Sequence, residues 1–342
     1  MAEVTVRFLS REDVLAAGGG DMRAAVDDVR AALALLRAGD ADMPAETSVR
    51  LGPPGISQAH AYALPARLGG DIEAAGLKWT AHRPPVDDGA PAILSMTIVN
   101  DVVSGRPIGI VESALLTAMR TAAVSALVLD LAASTTPRHV ALLGAGMQAR
   151  AHLRMLAELF PQLVAVTVWN RTRAHAERMV EVARPRAPWA LTVASDIAAA
   201  LDGADAVITC TNAAAPILDA DAMTPGRIVL QIGYHEVTFD AIDRAASVLL
   251  DLRGEFRLTS SKSLFQMHRA GRFDISRVAA DLAQIVLDGW RAPPGAAVFF
   301  SSFGLNLFDI ALAMRVLRTA AASGRGTLLQ LSGHAGGDWS WQ

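Results

Sequence analysis

A glycine-rich turn in the middle of the chain joins a short apolar strand to a helix. Residues 140–143 (VALL) lead into Gly144, Gly146 and Ala149, spaced G-x-G-x-x-A, and a helical pattern follows. In such a turn the first glycine permits a tight bend, the second lets the backbone approach a pyrophosphate, and the small third residue lets the helix pack closely on the strand. Free N–H groups at the helix start then face the phosphates. The pattern predicts a dinucleotide site, with an ordinary strand–helix turn as the alternative.

The next predicted strand runs into Asn170, Arg171, Thr172 and Arg173. Enzymes that bind NAD usually place an acidic residue here against the ribose hydroxyls, and this chain has none. The two guanidinium groups favour the 2′-phosphate of NADP(H), which they can bind through charge-assisted hydrogen bonds. We therefore expect NADP(H) to be preferred, with NAD(H) as the alternative. A second interpretation is that these are solvated residues opening a surface helix, with Asn170 as its cap.

Strands and helices alternate around this turn. Apolar strands are predicted at residues 139–144, 165–170, 191–194, 205–210, 227–233, 247–251 and 297–301. With helical segments between most of them, this alternation is typical of a doubly wound parallel sheet. Before it, residues 4–8 and several strand-like segments between 47 and 112 predict a mostly antiparallel α+β region. The predicted fold class is α/β: a Rossmann doubly wound parallel sheet plus a smaller α+β domain.

The bulk composition narrows the class of protein. The 342 residues are 52% hydrophobic, enough for two globular domains with separate cores. The net charge of -3 comes from residues spread along the chain, so we expect no binding of nucleic acid. The single cysteine, Cys210, excludes an internal disulfide and a Cys-based metal site, and no metal is expected. Apolar runs are interrupted before about 20 residues, the length that spans a bilayer, so we expect a cytoplasmic protein without a membrane span.

Several ordered motifs resemble the ornithine cyclodeaminase/mu-crystallin family over nearly the whole chain. The most specific is the segment 116–125 (LTAMRTAAVS), which is followed at the family's spacing by the Gly144 turn. The other motifs are Met43-Pro44 with Arg50, Gly76-Leu77-Lys78-Trp79, Asn100-Asp101 with Gly105, and Ser302-Phe303-Gly304 with Asp309. The resemblance implies an NAD(P)(H)-dependent oxidoreductase that acts on the C–N bond of a small amino acid or its imine.

In that family the residues matching Arg50, Lys78 and Arg120 surround the substrate, and two of them bind its carboxylate. A small amino or imino acid needs at least one fixed cation if its Cα is to face the nicotinamide. Lys78 stands in an apolar strand, where burial would lower its pKa and suit it to catalytic proton transfer. The alternatives are a salt bridge from Arg120 to Glu112 and a lysine pointing outward from an edge strand. Ser302 is a further substrate-binding candidate, with helix capping as its alternative.

The resemblance also implies contacts with the cofactor. They fall on Thr121, Gly144, Gly146, Met147, Gln148, Asn170, Arg171, Thr172, Arg173, Thr209, Cys210, Thr211 and Gly233. Residues 170–172 resemble the mu-crystallin and ketimine-reductase side of the family, which uses NADPH. Residues 9–13, 18–21 and 68–71 instead resemble the branch that oxidises an N-substituted glutamate in 2,3-diaminopropionate synthesis. The cofactor prediction rests on residues 170–172. Neither set of residues identifies the substrate.

The loop after residues 227–233 departs from the cyclodeaminases of the family. They place a catalytic aspartate there in a Gly-Asp-x-Pro-Gly-Lys context, whereas this chain has Tyr234, His235 and Glu236 after Gly233. Without that aspartate the ring-closing attack loses its base, so we expect no useful conversion of ornithine to proline. His235 and Glu236 are themselves candidate catalytic acid–base groups, because histidine titrates near neutrality and the loop follows a sheet strand. A structural His–Glu surface pair is the alternative.

The leading hypothesis is an imine or ketimine reductase, or an amino-acid dehydrogenase, in which Arg120 and Arg50 hold the carboxylate and Lys78 handles a proton. The alternatives are a dehydrogenase of an N-(carboxyalkyl) amino acid in 2,3-diaminopropionate or siderophore-type biosynthesis, an ornithine cyclodeaminase, and a non-catalytic NADPH-binding crystallin-like protein. Residues 1–118 and 305–342 are predicted to form a discontinuous substrate-binding and dimerisation domain, and residues 119–304 the Rossmann domain. The resemblance implies a homodimer formed through the first domain, with a small amino or imino acid as substrate.

Overall fold

The computed structural model describes residues 4–52, 59–82, 89, 91, 93–254 and 260–332. Its strands are β1 (Val4–Leu9), β2 (Ala41–Asp42), β3 (Thr47–Arg50), β4 (His60–Leu68), β5 (Ala74–His82), β6 (Ile93–Asp101), β7 (Pro107–Glu112), β8 (His139–Leu143), β9 (Ala165–Trp169), β10 (Ala190–Val193), β11 (Ala206–Thr209), β12 (Ile228–Gln231), β13 (Ser247–Leu250), β14 (Val278–Asp281), β15 (Val298–Ser301) and β16 (Thr327–Ser332). Its helices are α1 (Arg11–Ala16), α2 (Met22–Arg37), α3 (Ala114–Leu131), α4 (Met147–Leu159), α5 (Arg173–Ala183), α6 (Ile197–Leu201), α7 (Phe239–Arg244), α8 (Ser263–Arg269), α9 (Leu282–Val286) and α10 (Asn306–Ala322).

The chain divides into two compact units. The first unit comprises Met1–Asp21, Ala34–Arg120 and Asn306–Gln342, and the second comprises Met22–Leu33 and Thr121–Leu305. The domain boundaries drawn from the sequence stay a prediction. The units differ from them most at the start of α2, since residues 22–33 group with the second unit.

The first unit is built on a sheet in the order β16-β1-β7-β6-β5-β4-β2, with β3 also paired to β4. All its strand pairs are antiparallel except β1 with β7, as the sequence pattern predicts. Helix α10 packs against β4, β5 and β6. Along β5 the side chains alternate as a half-buried strand requires, because Lys78 and Thr80 are buried while Trp79 is 37% exposed.

Strand β16 is an element that the sequence pattern misses. Residues 323–332 predict only a weakly patterned tail, yet β16 pairs antiparallel with β1 along Phe8 to Val4. Its side chains are exposed on both faces, Leu328 and Leu331 by 59% and 62%. The strand therefore lacks the alternation by which a half-buried strand is recognised in a sequence.

The second unit contains a parallel sheet in the order β10-β9-β8-β11-β12-β15-β13-β14. The predicted doubly wound parallel sheet is confirmed. The strand order reverses between β8 and β11, and dinucleotides bind at the carboxyl ends of the strands on either side of such a reversal. Only β14 has no counterpart among the predicted strands, because four residues (VAAD) are too few to show a period.

Helix α3 is the one described helix that is long and apolar enough to cross a membrane. Its 18 residues have a mean hydropathy of 1.6, and 78% of them are buried inside the molecule. A core helix has the same properties, so the helix is weak evidence for a membrane span.

Candidate active site

In the first unit, Lys78 and Arg120 meet at the carboxylate of Asp309. Lys78 Nζ lies 2.9 Å from Asp309 Oδ2, and Arg120 Nε lies 3.3 Å from Asp309 Oδ1. The hydroxyl of Thr117 lies 3.4 Å from both Lys78 Nζ and Asp309 Oδ1. Strand β5, helix α3 and helix α10 thus bring four side chains together, which we call the Lys78 cluster.

The Lys78 cluster is almost completely removed from solvent. The side chains of Lys78, Asp309 and Arg120 are 3%, 2% and 11% exposed. Strand β5 lies between β4 and β6, so the alternative of a lysine pointing outward from an edge strand is wrong. A buried pair of this kind is weak evidence for stability, but removing one partner leaves an uncompensated charge and costs about 3–5 kcal/mol.

The cluster perturbs the titration of its own members. Burial lowers the pKa of the Lys78 ammonium; the carboxylate of Asp309 opposes this, and the charge of Arg120 adds to it. Burial alone would raise the pKa of Asp309, but the charges of Lys78 and Arg120 outweigh it and hold that pKa below its ordinary value. Asp309 is therefore ionised, and Lys78 gives up its proton more readily than a solvated lysine.

The guanidinium group of Arg120 forms hydrogen bonds with its described neighbours through only one of its three nitrogens. Its Nε donates to Asp309, and no hydrogen bond joins its two terminal nitrogens to another described residue. The alternative of a salt bridge to Glu112 is wrong, because Glu112 Oε1 instead accepts from the backbone N–H of Ala114 at 2.9 Å. Two guanidinium nitrogens are thus left for a ligand carboxylate, the bidentate geometry that arginine favours.

Arg50 is not joined to the Lys78 cluster by any contact among the described residues. It ends strand β3, where it is exposed and lies opposite His60 of β4. Its role in substrate binding stays a prediction.

In the second unit, the glycine turn has the geometry that a dinucleotide requires. Gly144 has φ +121, and a Cβ there would lie 2.4 Å from the carbonyl oxygen of Cys210. Gly146 is the N-cap of α4, and a Cβ placed on it would have no atom within 4 Å. The fully buried Ala149 lets α4 pack closely on the sheet. The open space at Gly146, beside the free N–H groups of Met147 and its neighbours, fits a pyrophosphate.

Helix α4 is anchored behind this turn by a buried histidine. His152 is fully buried; its Nδ1 donates to the carbonyl of Gln148 at 2.7 Å, and its Nε2 accepts from the hydroxyl of Ser125 at 2.8 Å. Burial lowers the pKa of His152 to about 4, so the ring is neutral at pH 7. The side-chain oxygen of Gln148 is buried and has no hydrogen-bond partner among the described residues, which leaves an acceptor beside the turn.

The segment after β9 contains two arginines, of which Arg171 has no side-chain partner among the described residues. Arg173 forms an ion pair with Glu177 at 2.7 Å, whereas no described residue bonds the exposed side chain of Arg171. The side chain of Asn170 donates to the carbonyl of Thr172 at 2.9 Å and shapes the loop. Thr172 is the N-cap of α5 but makes no capping hydrogen bond with its side chain, so its hydroxyl does not satisfy the N–H groups of the first turn.

The carboxylate of Glu236 accepts hydrogen bonds from residues at the carboxyl end of β11, an arrangement that we call the Glu236 clamp. This residue is fully buried, and its carboxylate accepts from Thr209 Oγ1 at 2.6 Å and from both the backbone N–H and the hydroxyl of Thr211 at 2.7 Å. Gly233 lies so close that a Cβ on it would be 2.4 Å from Glu236 Oε1. The alternative of a surface pair with His235 is wrong, because the carboxylate is buried against β11.

Two other predicted residues follow the carboxyl ends of the neighbouring parallel strands β12 and β15. His235 is half-buried, and its Nδ1 has no hydrogen-bond partner among the described residues. Ser302 is buried, and its hydroxyl donates to Asp251 at 3.4 Å. Helix α10 begins only at Asn306, so Ser302 is not its cap. Thr121 and Cys210 are buried and half-buried at the start of the second unit and after β11.

Sequence reasoning missed the role of Asp309. In the sequence Asp309 was noted only as part of a motif. One signal could have identified it: it is the single charged residue in the apolar segment 305–314 (LNLFDIALAM). A carboxylate buried on an apolar helix face needs a cation as a partner, and Lys78 was the obvious buried cation. The clamp formed by Glu236 has no comparable signal, because its partners come from a different strand.

Comparison with known proteins gives matches over most of the chain. Residues 8–324 match the ornithine cyclodeaminase/mu-crystallin family. The chain is 32% identical to Delta(1)-pyrroline-2-carboxylate reductase 1 of Burkholderia multivorans, over 69% of this chain and 73% of that protein. It is 25% identical to N-((2S)-2-amino-2-carboxyethyl)-L-glutamate dehydrogenase of Staphylococcus aureus, over 95% of this chain and 98% of that protein.

A solved structure extends the similarity to the whole fold. Thermococcus litoralis Delta(1)-pyrroline-2-carboxylate reductase, in complex with NADH and L-proline, superposes with a TM-score of 0.86 at 23% identity, covering 94% of this chain and 99% of that one. The residues that match the family, 8–324, belong to both units. This chain belongs to the ornithine cyclodeaminase/mu-crystallin family.

Proposed function

We propose that this protein is an NADP(H)-dependent oxidoreductase that reduces the imine of a small amino acid, or oxidises the corresponding amine. The observation that carries the proposal is the Lys78 cluster. In it a buried lysine shares one carboxylate with an arginine whose terminal nitrogens make no hydrogen bond to the residues that the structure describes. The relatives support the reaction class, because they are named as imine reductases and amino-acid dehydrogenases.

Arg120 is the proposed carboxylate anchor. Asp309 holds its Nε at 3.3 Å, which fixes the guanidinium plane and leaves both terminal nitrogens to bind the substrate carboxylate. Such a fixed anchor orients the reacting carbon and removes much of the entropy loss of productive binding. Arg50 would add a second cation to the same carboxylate.

Lys78 is the proposed proton donor. A bound nicotinamide cofactor would supply the hydride that the imine carbon accepts. The ammonium of Lys78 gives a proton to the imine nitrogen, so that the C=N bond becomes CH–NH. The lowered pKa of Lys78 makes this transfer easier, and the charge of Asp309 favours the protonated form of the lysine. In the oxidative direction neutral Lys78 would take the proton back.

The loop after β9 supports the choice of NADP(H). Arg171 and the hydroxyl of Thr172 can bind a 2′-phosphate, while Asn170 brings no negative charge against it. Arg173 contributes less, since Glu177 already neutralises it. We expect Arg171→Ala to weaken NADPH binding by about tenfold or more while leaving NADH binding unchanged. Calorimetric titration of both cofactors tests this, with Arg184→Ala, at the C-cap of helix α5, as control. Equal affinities in the wild type would refute the preference.

Turnover on a defined panel tests the function itself. NADPH and NADH oxidation would be followed with Δ1-pyrroline-2-carboxylate, Δ1-piperideine-2-carboxylate, and pairs of an oxo acid with an amine. We expect a cyclic or acyclic imine to turn over, and Lys78→Met to lower kcat far more than it raises KM. Tight NADPH binding with no turnover on any of these substrates would instead favour a crystallin-like binding protein.

A second candidate is the dehydrogenation of an N-(carboxyalkyl) amino acid. The full-length similarity to the glutamate-derivative dehydrogenase favours it, since 95% of this chain is covered. The test is NAD(P) reduction with N-(2-amino-2-carboxyethyl)glutamate, followed by detection of an oxo acid and a diamino acid. Reduction with this substrate but with none of the imines would replace the first proposal.

Cyclodeamination of ornithine is not part of the proposal. It requires a carboxylate that deprotonates the side-chain amine, and the carboxylate that follows Gly233 here is that of Glu236, which three hydrogen bonds from Thr209 and Thr211 hold against β11. His235 remains a candidate acid–base group in this loop. Multiple-turnover formation of proline and ammonia from ornithine would contradict this assignment.

We also propose that the protein is a cytoplasmic homodimer. The face of the first-unit sheet opposite to Lys78 carries exposed apolar side chains, and Trp79 and Met96 lie opposite each other in register at 37% and 47% exposure. A contiguous apolar face of this kind is typical of a protein interface. Light scattering of the wild type and of Met96→Lys tests the dimer, and a monomeric wild type would refute it.

A further inference from the structure

A groove lies between helices α4 and α5 of the second unit, away from the glycine turn. Its volume is about 810 Å³, and its lining comes from successive turns of the two helices and from the segment that leads into β10. The lining of α4 begins one turn after Gly146, so neither glycine of the turn contributes to it. Small-molecule sites in proteins commonly have volumes of about 300–1,000 Å³.

The floor of the groove is apolar and fixed. Leu153, Met179 and Trp189 line it and are each less than 9% exposed. The indole N–H of Trp189 donates to the carbonyl of Phe160 at 3.2 Å, which holds the ring in place. A preformed apolar floor of this kind accepts the body of a ligand without first having to collapse or rearrange.

The rim of the groove is strongly basic. Arg150, Arg154, Arg178 and Arg186 line it, together with a single acidic residue, Glu158. Glu158 pairs with Arg154 at 2.5 Å, and no described residue forms an ion pair or a side-chain hydrogen bond with the other three arginines. The chain as a whole carries a net charge of -3, so this positive rim is a local feature and not a reflection of a basic protein.

We propose that this groove is a binding site for a small organic anion that carries at least two negative charges on an apolar or planar body. The body would lie on Leu153, Met179 and Trp189, and phosphate, sulfonate or carboxylate groups would bind the unpaired guanidinium groups at the rim. Arginine binds such groups through paired, charge-assisted hydrogen bonds. The site is separate from the proposed active site and does not depend on the proposed reaction.

The test uses the full-length protein saturated with NADP, so that the dinucleotide site is filled by a non-fluorescent ligand. The probe is bis-ANS, an aromatic disulfonate whose fluorescence rises on binding to an apolar surface. We expect saturable binding at one site. We also expect Arg178→Glu to weaken binding by about tenfold or more, the loss typical of a charged hydrogen bond.

Arg184→Glu is the matched control, because Arg184 follows the same helix and undergoes the same charge change but lines a separate, smaller cavity. It should change the dissociation constant less than twofold. Ala157→Phe fills the groove without any change of charge and should also abolish binding. Each variant would be checked for unchanged melting temperature and NADP affinity.

Three results would overturn the proposal. One is the absence of saturable binding to the wild type. Another is equal weakening by Arg178→Glu and Arg184→Glu, which would show general electrostatic attraction. The last is unaltered binding to Ala157→Phe, which would place the probe outside the groove.

Discussion

Replacing Asp309 by asparagine removes the one negative charge of the Lys78 cluster and should change both stability and the pH profile of activity. Lys78 Nζ and Arg120 Nε lie 2.9 Å and 3.3 Å from its carboxylate, and the cluster is almost solvent-free. Two cations would then face each other without compensation. We expect a loss of about 3–5 kcal/mol in the free energy of unfolding, equivalent to a drop of roughly 10 °C in Tm.

The effect on activity follows from the sign of each contribution to the pKa of Lys78. Burial and Arg120 lower this pKa, and Asp309 is the neighbour within the cluster that raises it. Without that carboxylate the lysine loses its proton at lower pH. If protonated Lys78 donates to the imine, the alkaline limb of kcat for imine reduction should move to lower pH.

The assay measures kcat for NADPH oxidation from pH 6 to 10, together with thermal unfolding. Thr117→Val is the control, because it removes a hydroxyl 3.4 Å from Lys78 without changing charge and should leave the alkaline limb in place. If Asp309→Asn does not fold, the double variant Lys78→Met/Asp309→Asn removes the unpaired ammonium and should recover part of the stability. An alkaline limb at the wild-type pH in a folded Asp309→Asn variant would refute the role of Lys78 as donor.

Three further outcomes are expected. Arg120→Ala should lower kcat/KM by about two orders of magnitude or more and leave the NADP dissociation constant unchanged; wild-type kcat/KM would place the anchor elsewhere. Gly144→Ala should destabilise the fold and abolish NADP binding, since its Cβ would lie 2.4 Å from a carbonyl oxygen, whereas Gly146→Ala should keep its Tm and lose only affinity; calorimetry and thermal unfolding distinguish the two. The unfolded chain protonates His152 near pH 6.5 but the folded chain only near pH 4, so stability is lost as pH falls through this window, by about 3 kcal/mol for the 2.5-unit difference. His152→Gln should flatten this dependence, and an unchanged slope of unfolding free energy against pH would show that the ring is not held neutral.

Much of the fold could be predicted because the relevant signals are local. The turn at Gly144 can be recognised from a few neighbouring residues. Backbone conformation, access of the phosphates and helix packing each require a small side chain at a particular position in it. The parallel strands are fully buried and read as continuous apolar runs. Strands β14 and β16 were not predicted. Strand β14 is too short to show a period, and β16 is too exposed to show one.

In the candidate site, too, the local features could be predicted and the contacts between distant residues could not. Lys78 and Arg120 stand out in the sequence, because a cation among apolar residues must have a partner or a purpose. Which partner it has depends on elements more than 180 residues apart in the chain, and no local pattern records that Asp309 reaches both cations. The same holds for Glu236, which the sequence offers as a catalytic group and the structure holds against Thr209 and Thr211. The sequence by itself determined which residues could do chemistry and which strands and helices hold them. Only the tertiary structure decided which charges share a buried environment, because electrostatic pairing depends on distance in space and not along the chain.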